Sequence, residues 1–337
     1  MGRKLRWGVL GAAGIAKGVL IPAIQASRNG AVAVLGTRDP AALGAFAAEH
    51  RIGRVVTGYE AVIANPDVDA LYIPLPNSLH SEWAERAADA GKPVLCEKPL
   101  AMTAAEAERM AARFAGKRVP LMEGFMYRFH PQHARVQAII DSGEIGELTE
   151  VHAHLSVDLM NPPDPKNVRF APPLGGGALL DMGCYAVSIA RMIFGAEPTR
   201  VLAWQSLDST FGVDIATSAV LEFPGGRVAS ASCSFKGNGQ GFYRVIGRKG
   251  MIDVPRGILP GLGERSAEAL VVVIDGNGRR REEEIAPADQ YRLMVEAFAD
   301  AVIDSRPVPL SPSDSIANMR VLDAIAASAA KGAAVSL

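Results

Sequence analysis

The chain has little cysteine, almost no net charge and no apolar run of membrane-spanning length. Three cysteines occur in 337 residues, and Cys96, Cys184 and Cys233 stand far apart. None forms a Cys-x-x-Cys pair, so neither a disulfide framework nor a cysteine zinc site is supported. Such sparse thiols fit a reducing cytoplasm. The formal net charge of -1 gives no electrostatic reason to expect nucleic acid or an anionic membrane as partner. No stretch approaches the ~18 apolar residues that a membrane span requires. Arg3, Lys4 and Arg6 ahead of Trp7 imitate a secretory leader, but Lys17 closes the apolar run and the glycines are spaced for a strand–turn–helix. Internal repeats and low-complexity tails are missing as well.

What is present is an ordinary globular composition, 49% hydrophobic and 21% charged. At this length two domains are expected. Leu5–Leu10 reads as a strand, Gly11-Ala12-Ala13-Gly14 as a turn, and Ile15 to Ser27 as a helix. Further strands are expected at 31–35, 54–57, 70–75, 94–96 and 119–123. Helices are expected at 40–50, 81–90 and from a Thr103 cap to about Ala115. Alternating strands and helices imply a mostly parallel sheet with right-handed crossovers. After Met126 the texture changes. A helix at 133–142 precedes period-two runs at 148–158, 201–207, 216–223 and 228–235, a pattern of antiparallel strands. Pro224-Gly225-Gly226 reads as a hairpin turn, and Gly276-Asn277-Gly278 joins a second hairpin of 271–274 and 282–285. Two helices, 289–304 and 313–330, finish the chain. The fold class is therefore α/β: a doubly wound, Rossmann-type parallel sheet over residues 1–125, then an α+β domain with a mostly antiparallel sheet over 126–337.

A dinucleotide fingerprint reads G-x-G-x-x-G/A after the first strand, because the turn must be tight and the backbone must approach pyrophosphate. Here the register is Gly11-x-Ala13-x-x-Ala16. Gly11, Ala13, Gly14, Ile15 and Ala16 are the candidate cradle, and a tight turn without a ligand is the plainer alternative. The second strand ends in Gly36-Thr37-Arg38-Asp39. An acid at this point binds a ribose 2′-hydroxyl, whereas arginine accommodates a 2′-phosphate. Thr37 and Arg38 favour NADP. Asp39 argues for NAD, but the Pro40 after it suggests that Asp39 caps the next helix. Pro76, Asn77 and His80 follow another strand end at the same edge, as do Glu97 and Lys98.

Lys98 closes the buried-looking strand Val94-Leu95-Cys96, where a charge is expensive without a task or a partner. Far downstream, Gly175-Gly176-Gly177 precedes Asp181 and Tyr185, whose spacing puts them on one helix face. Oxidising a secondary alcohol requires removing the hydroxyl proton as hydride leaves carbon. A tyrosine with an intrinsic pKa near ~10 needs a nearby cation to serve as that base. Lys98 can supply the charge, and Lys98 as the base itself is the alternative. Asp181 can orient the substrate, Lys98 or both. Each residue alone has a plainer explanation: a solvated loop lysine, a half-buried core tyrosine.

Together these segments resemble the Gfo/Idh/MocA oxidoreductase family over essentially the whole chain. The matching runs are Trp7-Gly8-Val9-Leu10-Gly11, Thr37-Arg38-Asp39, Tyr72-Ile73-Pro74-Leu75-Pro76-Asn77 with His80, Cys96-Glu97-Lys98-Pro99-Leu100, Glu123 to Pro131, and Gly175 to Asp181. Any one is common; all six in order are specific. Tyr185, where many members carry histidine, resembles the branch containing glucose-fructose oxidoreductase, dimeric dihydrodiol dehydrogenase and NADP-dependent D-xylose dehydrogenases. That resemblance implies a pyranose or cyclic diol substrate, Tyr185 as proton donor/acceptor, and Lys98 in contact with substrate and nicotinamide ribose. It also implies a large open sheet used for assembly, hence a homodimer or homotetramer, and it raises a cis peptide at Pro99. Tyr127 and Arg169 are further candidates for substrate contact, and a surface position is the alternative for Arg169. His130 with His133, and His152 with His154, have ligand-like spacing but no nearby cysteine or acid cluster, so no metal is expected.

The expected activity is an NADP-dependent dehydrogenase of a sugar or cyclic diol. Alternatives on the same fold are a sugar-nucleotide ketoreductase, a non-catalytic cofactor-binding regulator, and a glycosidase using tightly held NAD. Retention of Lys98, Asp181 and Tyr185 argues against the last two.

Overall fold

The computed structural model describes residues 3–260 and 269–337. The chain divides into two compact units, Met1–Phe129 with Asp289–Ile316, and His130–Ala288 with Ala317–Leu337.

The first unit is built on six strands: β1 (Leu5–Leu10), β2 (Gly30–Thr37), β3 (Arg54–Thr57), β4 (Ala70–Ile73), β5 (Val94–Cys96) and β6 (Leu121–Glu123). Their order is β3-β2-β1-β4-β5-β6, and every pair is parallel. β4 and β5 are buried along their whole length, as expected of strands covered on both faces. The chain winds outward from β1 to β3, then returns to β4 and winds the other way. The crevice at the carboxyl ends of β1 and β4 is therefore the topological switch point, where such sheets bind ligands.

Helices α1 (Ile21–Ala26), α2 (Gly44–Glu49), α3 (Glu60–Ile63), α4 (His80–Asp89) and α5 (Ala104–Lys117) make the crossovers. Thr103 caps α5 as the sequence suggests, its hydroxyl accepting from the Glu106 amide at 3.2 Å. The expected helix over 40–50 is broken into a short 3-10 turn, Ala41–Leu43, followed by α2.

Sequence order alone assigns everything after residue 125 to one domain, but Asp289–Ile316 belongs to the first unit. Helix α8 (Gln290–Ile303) explains this. It buries Met294, Val295 and Phe298, and the Phe298 ring lies 5.3 Å from that of Trp7 on β1. Its acidic side also meets the end of α1: Glu296 accepts from the Arg28 amide at 3.0 Å, and Asp300 from the Asn29 amide group at 2.8 Å.

The second unit carries β7 (Leu148–Ser156), β8 (Arg200–Leu207), β9 (Asp214–Phe223), β10 (Arg227–Ser234), β11 (Gln240–Gly247), β12 (Gly250–Val254), β13 (Ala269–Asp275), β14 (Arg280–Ile285) and β15 (Val335–Ser336). These form a nine-stranded sheet in the order β14-β13-β12-β11-β7-β10-β9-β8-β15. Only β7 and β10 pair in parallel; the other pairs are antiparallel. Both expected hairpins form. β11 and β12 escape the sequence pattern because glycines and Arg244 interrupt their alternation, yet Tyr243, Val245, Ile252 and Val254 still point into the core.

One face of the sheet is covered by α6 (Pro131–Asp141) and α7 (Cys184–Phe194), while α9 (Pro312–Lys331) closes the helical series. Contrary to the sequence reading, the segment Pro172–Phe194 is long and apolar enough to cross a membrane by composition, but most of it is buried in the fold. Within it, Arg191 is only 5% exposed. Its guanidinium is held by two hydrogen bonds of 2.6 and 2.7 Å to Glu197, the bidentate pairing a buried arginine needs.

Candidate active site

In the first unit the candidate cofactor positions gather at the carboxyl edge of the parallel sheet. Gly11 leaves β1 with φ of 107°, a backbone that favours glycine. Its amide donates to Gly36 O at 2.9 Å, which ties the first turn to the end of β2. A methyl at Gly11 would also stand 3.2 Å from the Leu75 side chain. Helical structure begins at Gly14, and Ala16 opens a π-wound turn, Ala16–Leu20, that runs into α1. Ala16 is fully buried, taking the place of the fingerprint's third glycine. Ala13 and Ile15 are half-buried, and a methyl added at Gly14 would meet nothing within 4 Å. The main chain at Gly14 is therefore open to a ligand.

At the end of β2, Thr37 is half-buried and Arg38 exposed. Among the described residues, no hydrogen bond or ion pair engages the Arg38 guanidinium. Asp39 is turned back on its own chain, its carboxylate accepting from the Ala42 amide at 3.2 Å. An available cation beside an occupied acid fits a 2′-phosphate better than a ribose hydroxyl.

Pro76 and Asn77 begin the 3-10 turn after β4, and both are half-buried. His80 lies behind this edge rather than on it, with no exposed surface. Its Nδ1 is 2.9 Å from Pro99 O and its Nε2 2.8 Å from Leu75 O. The ring thus ties the loop after β4 to the loop after β5. Burial holds its pKa below the ordinary value, against the pull of the two carbonyls.

Glu97 and Lys98 are half-buried at the end of β5. Tyr72 donates to Glu97 Oε1 at 2.7 Å; burial first, and Glu97 second, raise the Tyr72 phenol well above its ordinary range. The Lys98–Pro99 peptide is cis. On its far side the Leu100 amide donates to the buried Glu123 carboxylate at 2.8 Å. Lys98 is therefore flanked by main chain fixed at Glu97, Pro99 and Leu100. Tyr127 belongs to the same unit, fully buried in the turn Met126–Phe129, edge-on to Phe125.

In the second unit the structure brings Arg169, Asp181 and Tyr185 into one neighbourhood. Arg169 Nε donates to Asp181 Oδ2 at 2.6 Å, and the acid is the more enclosed partner, 16% exposed against 43%. Asp181 sits in the π-wound turn Leu179–Gly183, which continues directly into α7. Tyr185, 6% exposed, follows one turn later. The two residues fall on either side of the junction between the π-wound turn and α7, and the arginine left open between substrate and surface is the ion partner of Asp181.

Sequence reasoning missed Asp214. Nothing in its local pattern marks it, because its task is a contact far away in the chain: Oδ2 accepts from the Leu179 amide at 2.8 Å, and the nearby Thr217 hydroxyl donates to the same oxygen at 2.9 Å.

The histidine pairs are engaged elsewhere. His133 Nδ1 lies 2.9 Å from the Tyr243 hydroxyl, and His130 Nδ1 accepts from the Gln132 amide at 3.2 Å. His152 and His154 meet Ser230 and Ser232 across β7 and β10.

Comparison with known proteins matches both halves of the chain. Residues 5–125 match the GFO/IDH/MocA oxidoreductase family, NAD-binding Rossmann fold, and residues 133–253 match the GFO/IDH/MocA C-terminal domain. D-xylose 1-dehydrogenase (NADP(+)) 2 of Haloferax volcanii is 39% identical over 333 residues, spanning 99% of this chain and 100% of that protein. Among solved structures, aldose-aldose oxidoreductase from Caulobacter crescentus, complexed with glycerol, has a TM-score of 0.89 at 30% identity, covering 99% of this chain and 100% of that one. A 3-ketoreductase from Actinomadura kijaniata, in complex with NADP and TDP-benzene, gives 0.89 at 31% identity, with 97% and 98% covered.

Proposed function

Because the chain belongs to the GFO/IDH/MocA oxidoreductase family, we propose that it is an NADP-dependent dehydrogenase acting on a secondary alcohol of a sugar or cyclic diol. The observation that carries this is the helix bearing Asp181 and Tyr185 one turn apart, with Asp181 anchored by Arg169 at 2.6 Å. Bound at the carboxyl edge of the parallel sheet, NADP supplies the acceptor for the hydride that leaves the alcohol carbon. Gly11, Ala13, Gly14, Ile15 and Ala16 hold its pyrophosphate, and Thr37 and Arg38 its 2′-phosphate. Pro76, Asn77 and Glu97 line the edge, which His80 supports from behind.

The Tyr185 phenolate takes the proton from the substrate hydroxyl and becomes the phenol, as the hydride leaves the carbon and the carbonyl forms. The Lys98 ammonium favours the phenolate that must form, and it hydrogen-bonds the substrate and the ribose. Asp181 fixes the sugar hydroxyls with Arg169 as its counter-ion, and Tyr127 backs the substrate side. A charged partner is needed because an unassisted phenol ionises far above neutral pH. NADP over NAD is supported by an Arg38 guanidinium that no hydrogen bond or ion pair engages among the described residues, and by the NADP(+)-named relative from Haloferax volcanii.

A second reading, reduction of a keto group on a sugar nucleotide, is favoured by the likeness to the 3-ketoreductase bound to NADP and TDP-benzene. A panel of free pyranoses, cyclic diols and nucleotide-linked keto sugars, followed by absorbance of the reduced cofactor with NADP and NAD, separates the two. Oxidation of a free sugar or diol with NADP supports the dehydrogenase. Turnover confined to nucleotide-linked substrates would transfer the assignment to the ketoreductase, and none with any substrate would remove both.

The sheet of the second unit leaves Leu202, Trp204, Leu207 and Val220 exposed at 52%, 64%, 68% and 51%, and Leu202 lies directly across from Val220. Such a patch of large apolar side chains on a folded surface marks an association site. We infer a homodimer or homotetramer formed through this face. Sedimentation velocity on Trp204→Glu should show a shift toward monomer; an unchanged assembly, or a monomeric wild type, would remove the inference.

A further inference from the structure

We propose that Asp214, the first residue of β9, is the positioning residue that fixes the helical segment carrying Asp181 and Tyr185. The proposal rests on the assignment of those two residues to the reaction, and its geometry is independent of that assignment. The segment begins at Leu179 with Ala178 as its N-cap residue, which has no side chain able to cap. The first amides of a helix lack partners inside the helix. Asp214 supplies one from across the fold, accepting the Leu179 N–H at 2.8 Å. An anion there is also favoured by the positive end of the helix dipole.

The carboxylate is itself held in place. Thr217, two percent exposed, donates its hydroxyl to the same oxygen at 2.9 Å. Burial pushes the Asp214 carboxyl above its ordinary range, while the Leu179 amide and the Thr217 hydroxyl pull it back down. A carboxylate kept in a desolvated place by two directed donors is a built contact rather than a surface accident.

The second oxygen of Asp214 explains the last glycine of the run. Gly177 has φ of 116°, and a methyl there would collide with Asp214 Oδ1. Side chain and glycine are thus fitted to each other. The Gly177 amide donates to Arg169 O at 2.9 Å, and a methyl on Gly176 would stand 2.5 Å from that carbonyl oxygen. Gly177 O in turn accepts from the Asp181 amide at 3.2 Å. The chain of contacts closes on itself: Asp214 sets Gly177 and Leu179, Gly177 sets the Arg169 main chain, and the Arg169 side chain holds Asp181. Loosening Asp214 releases both ends of the Arg169–Asp181 pair and the turn leading to Tyr185.

The test compares Asp214→Ala and Asp214→Asn in the full chain. It uses amide hydrogen exchange at Leu179, NADP affinity by fluorescence titration, and kcat and KM on the substrate found for the wild type. Asn keeps an acceptor oxygen and Ala does not. Asp214→Ala should speed exchange at Leu179 at least tenfold and lower kcat at least tenfold, with NADP affinity within about twofold of wild type; Asp214→Asn should recover most of both losses. Unchanged exchange at Leu179 in the alanine variant would overturn the brace. So would wild-type kcat in that variant despite faster exchange, or an asparagine variant no better than alanine in both readouts. A wild type without turnover would sink the assigned reaction and leave the exchange comparison to decide the brace alone.

Discussion

In the first unit the groups assigned to the cofactor stand at the ends of parallel strands, where main-chain bonds such as Gly11 N to Gly36 O fix them. In the second, Asp181 and Tyr185 ride on a helical segment held by individual side chains, its first amide by Asp214 and Asp181 itself by Arg169. The first arrangement follows from sheet topology and tolerates changes such as alanine for glycine in the fingerprint. The second depends on individual side chains and should be far less forgiving. Lys98 is an intermediate case: its strand end is topological, but the loop after it is secured by the buried His80 and Glu123.

The largest effect expected from breaking the first arrangement is at Lys98. Lys98→Met should lower kcat by roughly 10²–10³-fold, the range for losing one stabilising charge in a preorganised site, while the Kd for NADP from fluorescence titration stays within a few-fold of wild type. A kcat near wild type would make Lys98 a bystander. Arg38→Ala comes next. Losing a charge-assisted contact of about 1.5–3 kcal/mol should raise the KM for NADP roughly 10–100-fold and leave that for NAD nearly unchanged, as steady-state rates with both cofactors will read. Equal losses with both would separate Arg38 from the 2′-phosphate.

The smallest effect is a pH dependence of stability at His80. Burial holds its pKa below the ordinary 6.5, so the folded protein prefers the neutral ring and the unfolded chain takes up the proton first. Its contribution is complete above about pH 6.5 and is lost as pH falls from there through the depressed folded value. The midpoint of thermal unfolding should therefore drop between neutral pH and pH 5, and less steeply in His80→Asn. Identical slopes would assign the acid sensitivity to other groups, with the similarly depressed His130 and His154 the first to examine.

The same contrast explains what could be read from the sequence. Strands buried on both faces leave short apolar runs, and their ends carry Gly11, Arg38, Asn77 and Lys98 in plain sight. Thr103 announces α5 by the hydroxyl that caps it. Asp181 and Tyr185 are legible as a pair because helical spacing is local. Asp214 is not, because its partners Leu179 and Gly177 lie outside any local window, and an acid opening a strand carries no pattern. The return of α8 to the first unit is hidden for the same reason: it depends on Phe298 meeting Trp7, a contact between opposite ends of the chain. β11 and β12 are lost to glycines that blur the period of two.

The most direct test is single-turnover reduction of NADP by saturating substrate in wild type and in Tyr185→Phe, a change that removes one hydroxyl from a buried ring. With Tyr185 as the proton acceptor, hydride transfer in Tyr185→Phe should slow by roughly 10²–10⁴-fold, with NADP affinity retained. Transfer at the wild-type rate would contradict that role and return the proton to Lys98 or to another group.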